Sequence, residues 1–296
     1  MLVAETPFEP LLGDAAPLTA TAIADLAVAA LRAEADLTPK PGLVDRRGRG
    51  AHTDMDLDML LASADALRAG FAECASAAQE LPVDLALRAR VGVIGRSTER
   101  RMLAVTAGVN THRGALWCLG LLAAGAARHR DIHAAIRFAA ALASQPDLAM
   151  PGPSDSNGAV ARRRYGAGGA VGEAQNGFPH VVGHALPTLR RARARGADET
   201  TARLDALLAV MAHLQDTCLL HRGGAAGLTA IRRGAAEVLA AGGSASPAGR
   251  CRLMRLDDLA RTRRLSPGGS GDLLSAALFL DSLVTHRRES RTLCKH

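Results

Sequence analysis

Apolar residues return every three to four positions along nearly the whole chain, and no stretch alternates between apolar and polar over the length of a strand. This periodicity predicts helices over residues 19–36, 54–79, 83–104, 112–128, 131–144, 169–194, 199–219, 225–241 and 271–286, with shorter ones over 157–165 and 252–262. Between them stand TPKPG, MPGPSDSNG, GGSASPAG and SPGG, the proline, glycine and small-polar punctuation of turns. No internal repeat or long linker interrupts the series. The expected fold is therefore all-α, a single compact multi-helix domain over 19–288, with an N-terminal extension (1–18) and a short C-terminal tail (289–296).

Polar residues that break this pattern mark the candidate chemistry. In the helix after LTPKPGLVDRRGRGAHTDMD, Thr53 stands where an N-cap is expected and Asp56 three residues on. At about 100° per residue, Asp54, Asp58 and Asp65 fall within about 40° of one another, on a stripe that faces solvent. Asp56 instead falls in the arc of Met59, Leu60, Ser63, Leu67, Gly70, Phe71 and Cys74. A carboxylate inside an apolar arc is costly unless it caps a helix, pairs with a cation or binds a metal. Capping and ligand binding both remain open for Asp56, and Asp54 can reach a ligand from the helix mouth. The last long helix repeats the problem. Asp272 shares a face with Ala276, Phe279 and Leu283, and the preceding Pro267, Gly268 and Gly269 expose backbone N–H groups.

Other loops have the same character. GVNTHRGALW places Asn110, Thr111, His112 and Arg113 at a helix start, with Thr111 as the expected cap and free N–H groups suited to an anion. LQDTCLLHRGG puts Asp216 toward the end of the helix expected over 199–219, where a negative charge opposes the dipole and calls for a cation. Arg222 and Gly223 follow it. The glycines of RRRYGAGGAVGEAQNGFPHVVGHALP do not match GxGxxG, since Val171 takes the third place and no strand precedes them. Glu173 lies inside that glycine-rich start as a positioned carboxylate or a surface residue.

Composition narrows the classes. No apolar run reaches the roughly 20 residues needed to span a bilayer, and the acidic start MLVAETPFEPLLGD lacks the features of a signal peptide. Five scattered cysteines without a CxxC favour reduced thiols, and the expected location is the cytoplasm. The net charge of +7 suits nucleic acid or a polyanionic small molecule. With only 2% aromatic residues and no zinc-finger spacing, nucleic acid is the less expected partner. The arginine runs 162–164, 190–195 and 261–264 read as solvated helix faces. One charge stands out: the chain has two lysines, Lys295 beside the C-terminus and Lys40 between two prolines. A lysine meets a phosphate end-on as a compact point charge, unlike the planar fork of arginine. There is no GxxxxGK[ST], HExxH or GxSxG. The pairs His129/His133 and His180/His184 have i,i+4 spacing but no evident third metal ligand.

Taken together and in order, TPKPGLVDR, GAHTDMD, GVNTHRGALWCLGLL, GEAQNGFPHV with ALP, LQDTCLLHRGG and SPGGSGDLL resemble the triphosphoribosyl-dephospho-CoA synthase family over roughly residues 20–285. Through RRRYGAGGA, GEA and GFPHV the chain is most similar to the malonate decarboxylase branch, with the citrate lyase branch as near neighbour. Arg113 departs from the lysine expected in many relatives.

The resemblance implies transfer of the 5-triphosphoribosyl group of ATP to the 2′-hydroxyl of 3′-dephospho-CoA, with release of adenine. It also implies a product passed to a separate transferase that modifies an acyl carrier protein. Such chemistry needs carboxylates near a developing oxocarbenium ion, a general base, and cations for the triphosphate, with Mg²⁺ as the expected cofactor. Lys40, Arg113 and Arg222 are then the expected phosphate contacts, with Asn110, Thr111, Gly223, Gly268 and Gly269 supplying further donors. Asp54, Asp56 and Asp216 are candidates for Mg²⁺ or for stabilising the oxocarbenium ion. Asp272 and Glu173 are candidates for the base, and His112 donates to a phosphate or to adenine. An ADP-ribosyl-type glycohydrolase and a basic helical nucleic-acid-binding protein are the competing classes. A homo-oligomer is compatible with all of them.

Overall fold

Alanine and leucine at helical spacing, with few rings to hold helices apart, allow close helix–helix approach, and the core is built that way. The computed structural model describes residues 18–150 and 156–293, apart from the side chains of 157 and 287–293. Helices α1 (Ala20–Asp36), α5 (Arg113–Arg128) and α13 (Gly268–Leu293) pack on one another at the centre. α5 is buried almost all round, and from Leu273 to Leu283 most of α13 is too. α3 (Arg68–Glu80), α4 (Leu85–Val105) and α6 (Ile132–Ser144) pack on α5, while α2 (Leu57–Ala66) lies between α1 and α4. α10 (Glu199–His213) packs on α13 and carries α9 (Leu186–Ala194) and α11 (Thr217–Ala240), with α12 (Pro247–Thr262) outermost against α11. α7 (Asn157–Tyr165) leans on α11, and α8 (Gly169–Gln175) on α5 and α6. The fold is all-α, as the periodicity predicts. Among the described residues the only β pairing is an isolated bridge between Asp45 and Gly48.

Several boundaries differ from the expected ones, each for a local reason. The helix expected over 54–79 starts at Leu57, capped by Asp56 and not Thr53, and divides at the buried Leu67. The helix expected over 169–194 stops after Gln175, because Gly177 and Phe178 take positive φ and Pro179 has no N–H. The chain re-enters α9 through a π-helical turn, Val181–Ala185. The segment 199–219 is the end of one helix and the start of another. α10 stops at His213 and Asp216 caps α11, so the dipole favours this carboxylate instead of opposing it. α11 is two helical stretches joined across a kink at Gly224 (φ 60°, ψ −162°), whose backbone is not helical, in keeping with the separate helix expected from 225. The expected N-terminal extension lies, except for Leu18, outside the described residues, and α13 continues through residues 289–293.

The closeness of the packing is measurable at Gly125. A Cβ there would stand 2.2 Å from the Ala135 carbonyl oxygen of α6, a backbone atom that cannot rotate away. At Gly120, on the same helix, the nearest neighbour is Cys74 Sγ at 3.7 Å. Gly125→Ala is expected to lower stability by about 1–3 kcal/mol in chemical denaturation, through forced separation of α5 and α6. Gly120→Ala, where a methyl fits and helix propensity improves, is expected to show no loss.

Candidate active site

The loop between α1 and α2 is fixed by charges its own sequence supplies. The Lys40 amide donates to Asp45 Oδ2 (2.8 Å), and Arg47 closes on the same carboxylate. Arg47 also reaches Asp257 of α12 (2.9 Å), which accepts from the Gly42 amide (3.0 Å). Gly42 has φ +70°, and a Cβ there would meet the Leu265 carbonyl at 2.3 Å, so only glycine lets the loop lie this close. Lys40 is then carried inward until it is 1% exposed, and its Nζ donates to the Glu34 carboxylate (2.8 Å) and carbonyl (2.6 Å). Farther along, His52 hydrogen-bonds Ser266 through Nε2 (2.7 Å) and faces Arg222 (3.1 Å) and Asp54 (3.4 Å) through Nδ1. Burial, then the Arg222 charge, pushes its pKa down.

Asp216, 1% exposed, ties two helix starts together. It accepts from the amides of Cys218 (2.9 Å) and Leu219 (3.4 Å) in α11, and from those of Gly269 (3.3 Å) and Ser270 (2.9 Å) in α13. The Ser270 hydroxyl adds a fifth donor at 3.0 Å. Even so, burial outweighs these donors and raises its pKa. Two residues farther into α13, Asp272 projects over the start of α5. Its Oδ2 lies 2.1 Å from where a Cβ on residue 114 would stand, so Gly114 is what admits the carboxylate. The Ala115 amide faces it, and no ion pair with a cationic side chain is formed among the described residues. Burial first, then the nearby charges of Asp216 and Glu34, raises its pKa well above the ordinary carboxylate range.

The start of α5 supplies a histidine of the opposite kind. His112 is buried, with Nδ1 2.8 Å from the Ser63 hydroxyl and Nε2 without a partner. Burial depresses its pKa to about 4, so the ring is neutral in the physiological range. Across the cavity, both Glu173 oxygens are taken by His180, one by its amide (2.8 Å) and one by Nδ1 (2.7 Å). That pairing raises the His180 pKa. Glu34, Lys40, His52, Asp54, His112, Glu173, Asp216 and Asp272 all line one cavity of about 1090 Å³. This is at or beyond the usual ~300–1,000 Å³ for one small ligand, with room for two substrates side by side.

The chain matches the family described as "CitG: ATP:dephospho-CoA triphosphoribosyl transferase" over residues 20–291. It is 54% identical to a Stutzerimonas stutzeri protein named "Probable 2-(5''-triphosphoribosyl)-3'-dephosphocoenzyme-A synthase", over 93% of this chain and 96% of that one. Proteins of the same name from Azotobacter vinelandii (54%, covering 90% and 93%) and Pseudomonas aeruginosa PAO1 (54%, covering 88% and 90%) agree. The chain belongs to the triphosphoribosyl-dephospho-CoA synthase family. No solved structure matches it.

Within this synthase fold, the sequence-derived candidates separate. Asn110, Thr111, Arg113, Arg222, Gly268 and Gly269 join the cavity wall with the residues above. Asp56 and Gly223 do not. Asp56 caps α2 at Met59 N (3.1 Å) and pairs with Arg49 (3.1 Å), its side chain turned toward solvent. Gly223 is needed for packing, since a Cβ would stand 2.4 Å from Leu265. Lys40 is no exposed cationic tip, because a buried ammonium beside a buried carboxylate settles into the ion pair with Glu34. Thr111 bonds Ser63 (2.6 Å) and does not cap α5; Asn110 accepts the Arg113 amide instead (3.2 Å). The Arg113 guanidinium is paired with Glu99. Asp54, Asp56 and Asp216 do not form a metal set, and the described residues contain no group of three or more His, Cys, Asp or Glu side chains that could hold an ion.

Glu34, His52, Ser266 and Ser270 carry no motif that marks them, and Arg162, which lines the cavity, lies in a run of arginines that reads as a solvated face. Glu34 was legible. Ile23, Ala27, Ala30 and Glu34 follow helical spacing on the buried face of α1, the same anomaly that drew attention to Asp56. Because the pair is buried, Lys40→Met is expected to cost about 3–5 kcal/mol by stranding the Glu34 charge. Lys40→Met with Glu34→Gln should recover a large part of that loss. Urea denaturation of the two variants checks it, and equal losses in both would deny the coupling.

Proposed function

We propose that this protein transfers the 5-triphosphoribosyl group of ATP to the 2′-hydroxyl of 3′-dephospho-CoA, releasing adenine, and that Asp272 is the general base. The observation that carries the reading is Asp272 itself: a carboxylate in a large cavity, unpaired and raised in pKa by burial and two neighbouring carboxylates. In this reaction the bond from ribosyl C1 to adenine N9 breaks, and adenine leaves with the electron pair and takes up a proton from water. The acceptor hydroxyl attacks C1 and gives its proton to Asp272. Positive charge growing at C1 is offset by Asp272 and Asp216, a stabilisation that exists only while the charge does. His112, neutral and with Nε2 unpartnered, acts as a hydrogen-bond donor to departing adenine and not as a full proton donor. Glu173, with both oxygens engaged by His180, is the weaker base candidate.

Mg²⁺ fits this donor set as an ion that would arrive with the triphosphate, since the exposed Asp54 touches only His52 through one oxygen and the described residues hold no prebuilt cage of three or more ligands. When bound, it supplies charge neutralisation to the phosphates. The synthase reading extends to the malonate decarboxylase pathway through the RRRYGAGGA, GEA and GFPHV segments, with a separate transferase taking the product to its carrier protein. Free thiols at Cys74, Cys118, Cys218 and Cys251 support a reducing, cytoplasmic setting.

The purified protein with ATP, Mg²⁺ and dephospho-CoA should yield adenine and a triphosphoribosylated acceptor by mass analysis, with no adenine when the acceptor is omitted. ADP or AMP as products would refute the reading, and acceptor-independent adenine release would indicate a glycohydrolase. Asp272→Asn is expected to lower kcat by about 10²–10⁴-fold. In the wild type, kcat/KM should rise with pH through an apparent pKa above the ordinary ~4 of a carboxylate. The same substitution should stabilise the fold. A raised folded-state pKa means the stability contributed by Asp272 is complete below its unfolded pKa and is lost as pH rises through the folded value. The thermal midpoint of Asp272→Asn should therefore exceed that of wild type at pH 8, with the difference disappearing toward pH 4.

A further inference from the structure

The cavity continues beyond the carboxylates to a wall of opposite charge. There Asp147 Oδ2 accepts from Arg96 Nη1 (2.7 Å) and, at longer range, from Arg88 Nη1 (3.3 Å). The carboxylate is held in place: its other oxygen accepts the Ala149 amide (3.1 Å), and it lies 2.2 Å from where a Cβ on Gly92 would stand. Arg88 stacks over Trp117, 5.1 Å from the ring centroid. Arg88 Nε and Trp117 Nε1 are both buried without a hydrogen-bond partner. Arg88, Arg96, Trp117 and Asp147 line the same cavity as Asp272, together with the apolar Val91 and Met150.

Among the described residues two guanidinium groups share one carboxylate, leaving one positive charge without a carboxylate of its own and two buried donors unused. Unmade hydrogen bonds of this kind are costly in a finished structure and mark a place where an acceptor belongs. Asp147 occupies the position of an oxyanion held between two arginines, and a phosphate oxygen has the same requirement. We propose that this wall binds the diphosphate diester of dephospho-CoA, with Trp117, Val91 and Met150 flanking the adjoining organic arm. The inference rests on the reaction proposed above and names where its acceptor lies. The triphosphate of ATP travels with a divalent ion and suits the carboxylate end. A diphosphate diester carries less charge, needs no metal, and is matched by arginines alone. The apolar surface beside the arginines matches the long flexible arm of dephospho-CoA, which ATP lacks.

Titration calorimetry of the full-length protein tests this with dephospho-CoA and, separately, Mg·ATP. In Arg96→Gln the dissociation constant for dephospho-CoA should rise at least about tenfold, the loss expected for one charged hydrogen-bonding group. That for Mg·ATP should stay within about twofold, which also reports an intact fold. Trp117→Phe keeps an aromatic face under Arg88 while removing the N–H and the five-membered ring that carries it, and should weaken dephospho-CoA alone by a smaller factor of about three to ten. Unchanged dephospho-CoA affinity in both variants, or weakening of ATP in its place, would overturn the assignment. Adenine release by the wild type is followed in parallel. Release with unaltered acceptor binding in the variants rejects this subsite and leaves the reaction standing. Selective loss of acceptor binding without any release by the wild type rejects the reaction and leaves the subsite.

Discussion

Asp216 is the contact on which the rest of the site depends. A single buried carboxylate accepts hydrogen bonds from the first turns of α11 and α13. Each helix start offers N–H groups that nothing inside the helix can satisfy, and a shared anion answers both at once. Fixing the start of α13 in turn fixes Asp272 two residues later, over the glycine that opens α5. The price is a second carboxylate placed in the field of the first, with Glu34 close enough to raise it further.

That conflict makes the cavity chemically unfinished. Lys40 is already committed to Glu34, and Asp45, Arg47 and Asp257 serve to clamp its loop to α12. The cation Asp272 lacks is therefore not supplied by the described residues. In the reaction proposed above, a positively charged ribosyl centre or a metal-bound triphosphate would meet that need, and each would favour the ionised form of the carboxylate. At the other end Arg88 and Arg96 share the one Asp147 carboxylate, and Arg88 Nε and Trp117 Nε1 are left without an acceptor. The two ends ask for the two kinds of group that the substrates of this family carry. Stability is forgone at both places in the way expected of a site that binds charge.

Much of this was legible in the sequence, and where legibility stopped has a physical reason. Helical periodicity reported nearly every element because burial along these helices is regular, and Asp272 stood out as a charge on an all-apolar helix. Its neighbour Asp216 was located correctly as a loop-borne carboxylate but assigned to the wrong end of a helix. Only the break after His213 decides the sign of the dipole it feels, and the surrounding residues are helix formers. Asp56 drew the same angular argument as Asp272 and proved to be a cap, because the helix starts one turn later than the capping residues suggest. Lys40 was singled out by rarity, a signal that found the right loop and misjudged the direction of the side chain. The Arg88–Arg96–Asp147 wall was not legible at all. Arginines on α4 look solvated until the segment after α6 brings a carboxylate across them, a contact 59 residues distant for Arg88.

The central claim is that Asp272 sits unpaired in a field of carboxylates and is brought to its ionised form by the substrates. Carboxyl-carbon NMR titration of Asp272, assigned by comparison with Asp272→Asn, measures this directly in the free protein and with Mg·ATP bound. The account predicts a midpoint well above the ordinary ~4 in the free protein, falling when Mg·ATP binds. A midpoint near 4 in the free protein, or one unmoved by Mg·ATP, would contradict it.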